Sequence, residues 1–176
     1  MLKKLKTLVE LKKIVKSLKS KGKKIVFTNG CFDVLHVGHI RYLSAAKSLG
    51  DILIVGLNSD ESVRKNKGNG RPLIKDLYRA EMLNEIEYID YILIFSQPTV
   101  EKILLELKPD FHAKGTDYTE SNVPEADTVK SYGGKVAIVG DPKEHSTTDL
   151  IKFCHSCGSR NPKVVAGFSL RKKTAS

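Results

Sequence analysis

Thr28-Asn29-Gly30-Cys31-Phe32-Asp33-Val34-Leu35-His36-Val37-Gly38-His39 is the stretch whose reading decides the fold. It follows the apolar run Lys24-Ile25-Val26-Phe27 and precedes a helical pattern, Ile40 to Leu49, that Gly50 closes. Two histidines three residues apart, with glycine between them, therefore sit where a strand hands over to a helix. Backbone N–H groups at a helix N-terminus lack internal partners and favour an anion. Imidazoles placed there can donate to phosphate oxygens, and Gly38 lets the chain approach closely. The local reading is a phosphate site.

Outward from this stretch the pattern alternates between two periodicities. Asp51 to Asn58, Tyr91 to Phe95, Asp110 to Lys114 and Lys135 to Val139 read as further strands. Leu77 to Tyr88, Val100 to Leu107, Val123 to Tyr132 and Thr148 to Phe153 read as helices. Continuous apolar strands alternating with helices predict a parallel sheet covered on both faces. The fold class is therefore α/β, a Rossmann-like, doubly wound, five-stranded parallel sheet. In such sheets ligands bind beyond the carboxyl ends of the strands. The histidine turn lies at one such end, Asn58-Ser59-Asp60 at a second and Gly115-Thr116-Asp117 at a third. These segments should converge on one crevice.

The net charge of +10 invites a nucleic-acid reading, which its distribution argues against. Residues 1–24 carry ten lysines and one glutamate, and residues 151–176 carry six basic residues and no acidic ones. The body between them is net acidic, whereas a nucleic-acid enzyme gathers basic charge around its groove. Leu2, Leu5, Leu8, Val9, Leu11, Val15 and Leu18 recur at roughly helical spacing among the lysines, which predicts a surface helix docked by its leucine stripe. An anionic membrane surface or a polyanion is the competing partner for that helix. The organisation expected is a Lys-rich helix over 1–23, one domain over 24–153 and a basic, unstructured tail over 154–176. No run is long and apolar enough to span a bilayer, and no signal-peptide pattern opens the chain, so a cytoplasmic location is expected. Cys154-His155-Ser156-Cys157 resembles half of a zinc knuckle, but a second pair of ligands is missing from the sequence, and no resident metal site is predicted.

Several motifs now stand in order. Gly30-x-Phe32-Asp33-x-x-His36-x-Gly38-His39 resembles the signature of the cytidylyltransferase-like nucleotidyltransferases with an HxGH motif. Across about 24–153 the chain is similar to the adenylyltransferase of ADP-heptose synthesis. The similarity lies at Thr28 to Asp33, Asn58-Ser59-Asp60, Lys67-Gly68 with Arg71-Pro72, and Lys114-Gly115 with Asp117-Tyr118. It continues at Tyr132-Gly133-Gly134 and Ser146-Thr147-Thr148.

The resemblance implies transfer of AMP from ATP, with Mg²⁺, to D-glycero-β-D-manno-heptose 1-phosphate. A sugar phosphate is already an anionic nucleophile, so alignment and charge neutralisation matter more than a general base. His36, His39 and Lys67 are the expected catalytic residues. Asn29, Gly30, Cys31, Phe32, Asp33, Gly38, Asn58, Asp60, Lys65, Gly115, Asp117, Ser146, Thr147 and Thr148 are expected to bind the nucleotide. Arg64, Lys65 and Lys67 are placed in a Gly- and Asn-rich loop, as a phosphate clamp or as solvated charge. Asp33 either orients an imidazole, helps hold magnesium, or holds a turn. Ser146 and Asp149 would also form a capping box at the last helix.

The family resemblance further implies a homodimer and, since no sugar kinase lies in this sequence, a separate heptose kinase acting upstream. Asp141 stands where relatives acting on glycerol 3-phosphate carry arginine, which counts against a cytidylyltransferase using that acceptor. That enzyme, or one using another phosphorylated acceptor, is the alternative within the class.

Overall fold

The apolar runs become strands because β-branched and aromatic side chains suit a pleated surface packed on both sides. In the computed structural model, which describes residues 2–141 apart from 69, 120 and 121, they are β1 (Ile25–Gly30), β2 (Ile52–Asn58), β3 (Tyr91–Phe95), β4 (Phe111–Lys114) and β5 (Lys135–Ile138). All are parallel, in the order β3-β2-β1-β4-β5. The chain winds outward from β1 through β2 to β3, then crosses back to β4. Strand order thus reverses between β1 and β4, the position where such sheets open a crevice.

Side-chain alternation divides the core in two. Ile25, Phe27, Ile54, Leu93 and Phe95 pack on one face, with Leu11, Val15, Ile103, Leu104 and Val129. Val26, Leu53, Val55, Leu57 and Ile92 pack on the other, with Leu43, Ala46, Ala80 and Leu83. The helices supplying those partners are α1 (Leu8–Ser20), α5 (Glu101–Leu107) and α6 (Ala126–Ser131) on the first face. On the second they are α2 (Val37–Lys47) and α4 (Asp76–Asn84), while α3 (Asp60–Lys67) follows β2. Both faces are covered, as the continuous apolar strands require.

Two local expectations are corrected. The first helix begins at Leu8 rather than near Leu2, because Thr7 and Glu10 form a reciprocal capping box. Upstream, Leu5 bridges Ile92 in parallel and shields the β3 edge. The leucine stripe is taken up by the core, with Leu11 fully buried and Val15 nearly so. Secondly, Arg64, Lys65 and Lys67 lie on α3 and not in a loop, since Ser59 caps a helix by accepting from the Ser62 N–H. The helix predicted over Thr148 to Phe153 lies outside the described residues, as does the tail. Among the described residues no helix is long and apolar enough to cross a membrane.

Candidate active site at the β1–β4 switch point

The turn after β1 is shaped by its own side chains. Phe32 adopts φ +46° and buries its ring, with its centroid 5.3 Å from that of His39. His36 is the N-cap of α2, and its backbone N–H donates to Nδ1 of His39 at 3.3 Å. This occupies the Nδ1 lone pair, so neutral His39 carries its proton on Nε2 and presents a donor there. The two imidazole centroids are 3.9 Å apart. Gly38 permits that proximity, because a Cβ at this position would stand 3.0 Å from both Cε1 and Nδ1 of His36.

A cavity of about 580 Å³ opens beside the pair, beyond the carboxyl ends of β1, β2 and β4. Of the residues expected to act or bind, His36, His39, Lys67, Asn29, Gly30, Cys31, Phe32, Asp33, Gly38, Asn58, Gly115 and Asp117 all line it. Asp60 and Lys65 do not. Lys65 pairs instead with Glu61 across one helical turn at 2.6 Å, an exposed contact. Asp60 accepts from the Asp76 N–H and from Arg79 Nη2, each at 2.8 Å, and so joins α3 to α4. Ser146, Thr147 and Thr148 lie outside the described residues.

Asp33 is committed to holding a turn. Its buried carboxylate accepts from Arg71 Nη1 at 2.7 Å and from the N–H groups of Leu73 and Ile74 at 2.7 and 3.1 Å. That leaves it poorly suited to bind a cation. Asn58 donates to Ser62 Oγ at 2.9 Å while facing the cavity. A Cβ on Gly115 would stand 2.8 Å from Asp117 Oδ1, so the Asp117 carboxylate lies close over the backbone of this loop.

Arg79, Glu125, Arg41 and Tyr42 were not singled out from the sequence as site residues, and Lys114 was marked only through the Lys114-Gly115 match. Lys114, at the end of β4, donates from Nζ to Asn29 Oδ1 at 3.0 Å and pairs with Glu125 Oε2 at 3.2 Å. Burial pushes the Lys114 ammonium down from its ordinary range, and Glu125 opposes that shift. Burial also disfavours a charged Glu125, yet His112 and Lys114 together lower its carboxyl to about 2. Fully buried Arg79 donates to the carbonyls of Ile74, Cys31 and Asn58 as well as to Asp60. It thereby ties together the ends of β1 and β2. Arg41 reaches Asp141 at 3.1 Å at the cavity mouth. The Tyr42 hydroxyl donates to the Ala113 carbonyl at 2.9 Å and bonds Thr28 Oγ1, while burial raises its pKa. The available signals were a lysine closing an apolar strand and an arginine beside Ala80 on the apolar side of a helix.

A parallel sheet with a helix N-terminus and paired imidazoles at its switch point is the architecture of the Rossmann-like α/β proteins, whose crevice opens at that place. The chain belongs to the cytidylyltransferase-like family, whose pattern it matches over residues 27–154, and it is a nucleotidyltransferase. The bifunctional protein HldE of Geobacter metallireducens is 51% identical over 148 residues, which are 84% of this chain and 30% of that protein. HldE of Nitratiruptor sp. is 43% identical, over 84% of this chain and 31% of its own length. The chain thus spans about 30% of the length of these relatives. Among solved structures, the lipopolysaccharide core biosynthesis protein of Thermoplasma volcanium superposes with a TM-score of 0.56 at 31% identity, covering 67% of this chain and 95% of that one. Pantoate-beta-alanine ligase of Francisella tularensis shares the fold, with a TM-score of 0.53 at 19% identity over 86% of this chain and 76% of that one.

Proposed function

We propose that this chain transfers AMP from ATP to D-glycero-β-D-manno-heptose 1-phosphate, giving ADP-heptose and pyrophosphate. The observation that carries the reading is the close imidazole pair at the N-terminus of α2, inside the cavity. Choice of nucleotide and acceptor rests on the motif series quoted above and on the similarity to HldE.

In this reading a phosphate oxygen of the acceptor attacks the α-phosphorus of ATP, and the bond to the departing pyrophosphate breaks. The nucleophile is already ionised, so no side chain need remove a proton. His39 Nε2–H, His36 and the first amides of α2 donate to the oxygens on which charge grows. Lys67, at the end of α3 and among the residues lining the cavity, supplies positive charge. Fixed donors of this kind lower the barrier because they need no reorientation as the charge develops.

Mg²⁺ belongs to this reading as the counter-ion of the triphosphate. Among the described residues no group of three His, Cys, Asp or Glu side chains could hold a metal ion, and both Asp33 oxygens are already engaged. The described residues therefore do not form a protein metal site, and no step is assigned to one. The small-molecule partners are ATP and the sugar 1-phosphate. A homodimer and a cytoplasmic location remain part of the proposal, and the phosphorylated sugar must come from a kinase reaction.

Pyrophosphate release from ATP tests the reading. Release should depend on the heptose phosphate and be absent with glycerol 3-phosphate. Equal release with glycerol 3-phosphate would contradict it.

A further inference from the structure

The floor of the cavity holds an ion pair that the scheme above does not use. Lys114 and Glu125 are each 6% exposed, and their charged atoms meet at 3.2 Å. A lysine so placed stays charged only if something compensates for its lost hydration. Its neighbours come from every element around it. Asn29 of β1 accepts its hydrogen bond, and Glu125 approaches from the N-terminus of α6. The Tyr118 ring lies under Nζ at 5.3 Å, and the Asp117 carboxylate adds negative charge from the same loop. Behind the pair, His112 Nε2 of β4 is 3.7 Å from the same Glu125 oxygen, beyond hydrogen-bond reach. Burial pushes that imidazole down, and burial pushes the phenol of nearby Tyr42 up, so both are neutral at pH 7. Lys114 and Asn29 meet across the seam between β1 and β4, where the reactants must come together.

We propose that Glu125 is a positioning residue: its carboxylate keeps the Lys114 ammonium charged and aimed across the switch point at Asn29, facing the phosphate-bearing reactants. The inference rests on the adenylyl-transfer reading for its activity arm only. A purely structural ion pair would lower the Lys114 titration midpoint on loss of Glu125 as well, but would leave the pH profile of turnover where it was. A positioning role carries that shift into turnover, because removing the one carboxylate that, among the described residues, is in ion-pair contact with Nζ lowers the pH at which the lysine loses its charge.

The test compares the full chain with Glu125→Gln and Glu125→Asp. Side-chain NMR of Lys114 should give a titration midpoint at least one pH unit lower in Glu125→Gln, with Glu125→Asp in between. In pyrophosphate release, Glu125→Gln should lose about tenfold in kcat at pH 8 with KM for ATP within about twofold. The alkaline limb of its pH profile should move to lower pH, and Glu125→Asp should recover most of the rate. If Glu125→Gln does not fold, the same titration in Glu125→Asp decides, and a midpoint equal to wild type overturns the proposal. A loss of rate that is the same at every pH overturns it as well. Should the wild type turn over no heptose phosphate, the substrate reading fails, while an unmoved Lys114 midpoint in Glu125→Gln would still overturn the claim that Glu125 keeps the ammonium charged.

Discussion

At the scale of single residues, the site is built by side chains that immobilise one another. The His36 backbone fixes the His39 tautomer, Phe32 sits beside His39, and Gly38 makes room for His36. His39→Ala should lower turnover about 10²-fold or more with the fold intact, as for loss of an oxyanion donor. Near-wild-type turnover with an unchanged circular dichroism spectrum would refute the role. Arg79→Leu should cost about 3–5 kcal/mol in urea unfolding, because it removes the buried donor to the Cys31 and Asn58 carbonyls at the strand ends and to the Ile74 carbonyl, and the cation paired with Asp60. A loss under about 1 kcal/mol would count against that account. The histidines were legible in the sequence because their spacing and their place after a strand carry chemistry. Glu125 and Arg79 were not, and Lys114 only as a motif position, because their side-chain partners are 11 to 85 residues away and the others are backbone atoms. Asp33 was legible as important but not in its role, since Arg71 lies 38 residues downstream.

At the scale of elements, all five strands were readable, because a strand buried on both faces leaves an unbroken apolar run. Boundaries set by capping were less so. Thr7 and Glu10 start α1 later than the leucine spacing suggests, and Ser59 turns an apparently loop-like, polar segment into α3. The α3 sequence has little apolar character beyond Val63, so periodicity had nothing to register there. Helix α1 contributes Leu11 to the same core as Ile25 and Phe27. Leu11→Ala should therefore destabilise the domain by about 2–5 kcal/mol in urea unfolding. Replacing exposed Val9 with alanine should change stability by less than about 0.5 kcal/mol. Equal effects at the two positions would mean that α1 is not docked as described.

At the scale of the molecule, charge and titration give a pH dependence with a definite sign. Burial lowers the His112 pKa below 6.5, so the unfolded chain binds more protons than the folded one once pH falls below that value. Glu125 is also lowered, from 4.5 to about 2, and the stability it contributes is lost as pH falls through that window. Both groups make acid destabilising. Urea midpoints should fall steadily from pH 7.5 to pH 5, and His112→Phe, which keeps a ring beside Phe27, should flatten the decline above pH 5. An equally steep decline in that variant would assign the effect elsewhere.

The central claim is that the switch-point cavity unites ATP with a heptose phosphate, and mass analysis of the product tests it most directly. The chain is incubated with D-glycero-β-D-manno-heptose 1-phosphate and, separately, ATP, CTP, GTP and UTP. The account predicts ADP-heptose and pyrophosphate from ATP, with the other three nucleotides at least about tenfold slower. A faster reaction with CTP, or no sugar nucleotide from any of the four, would contradict it.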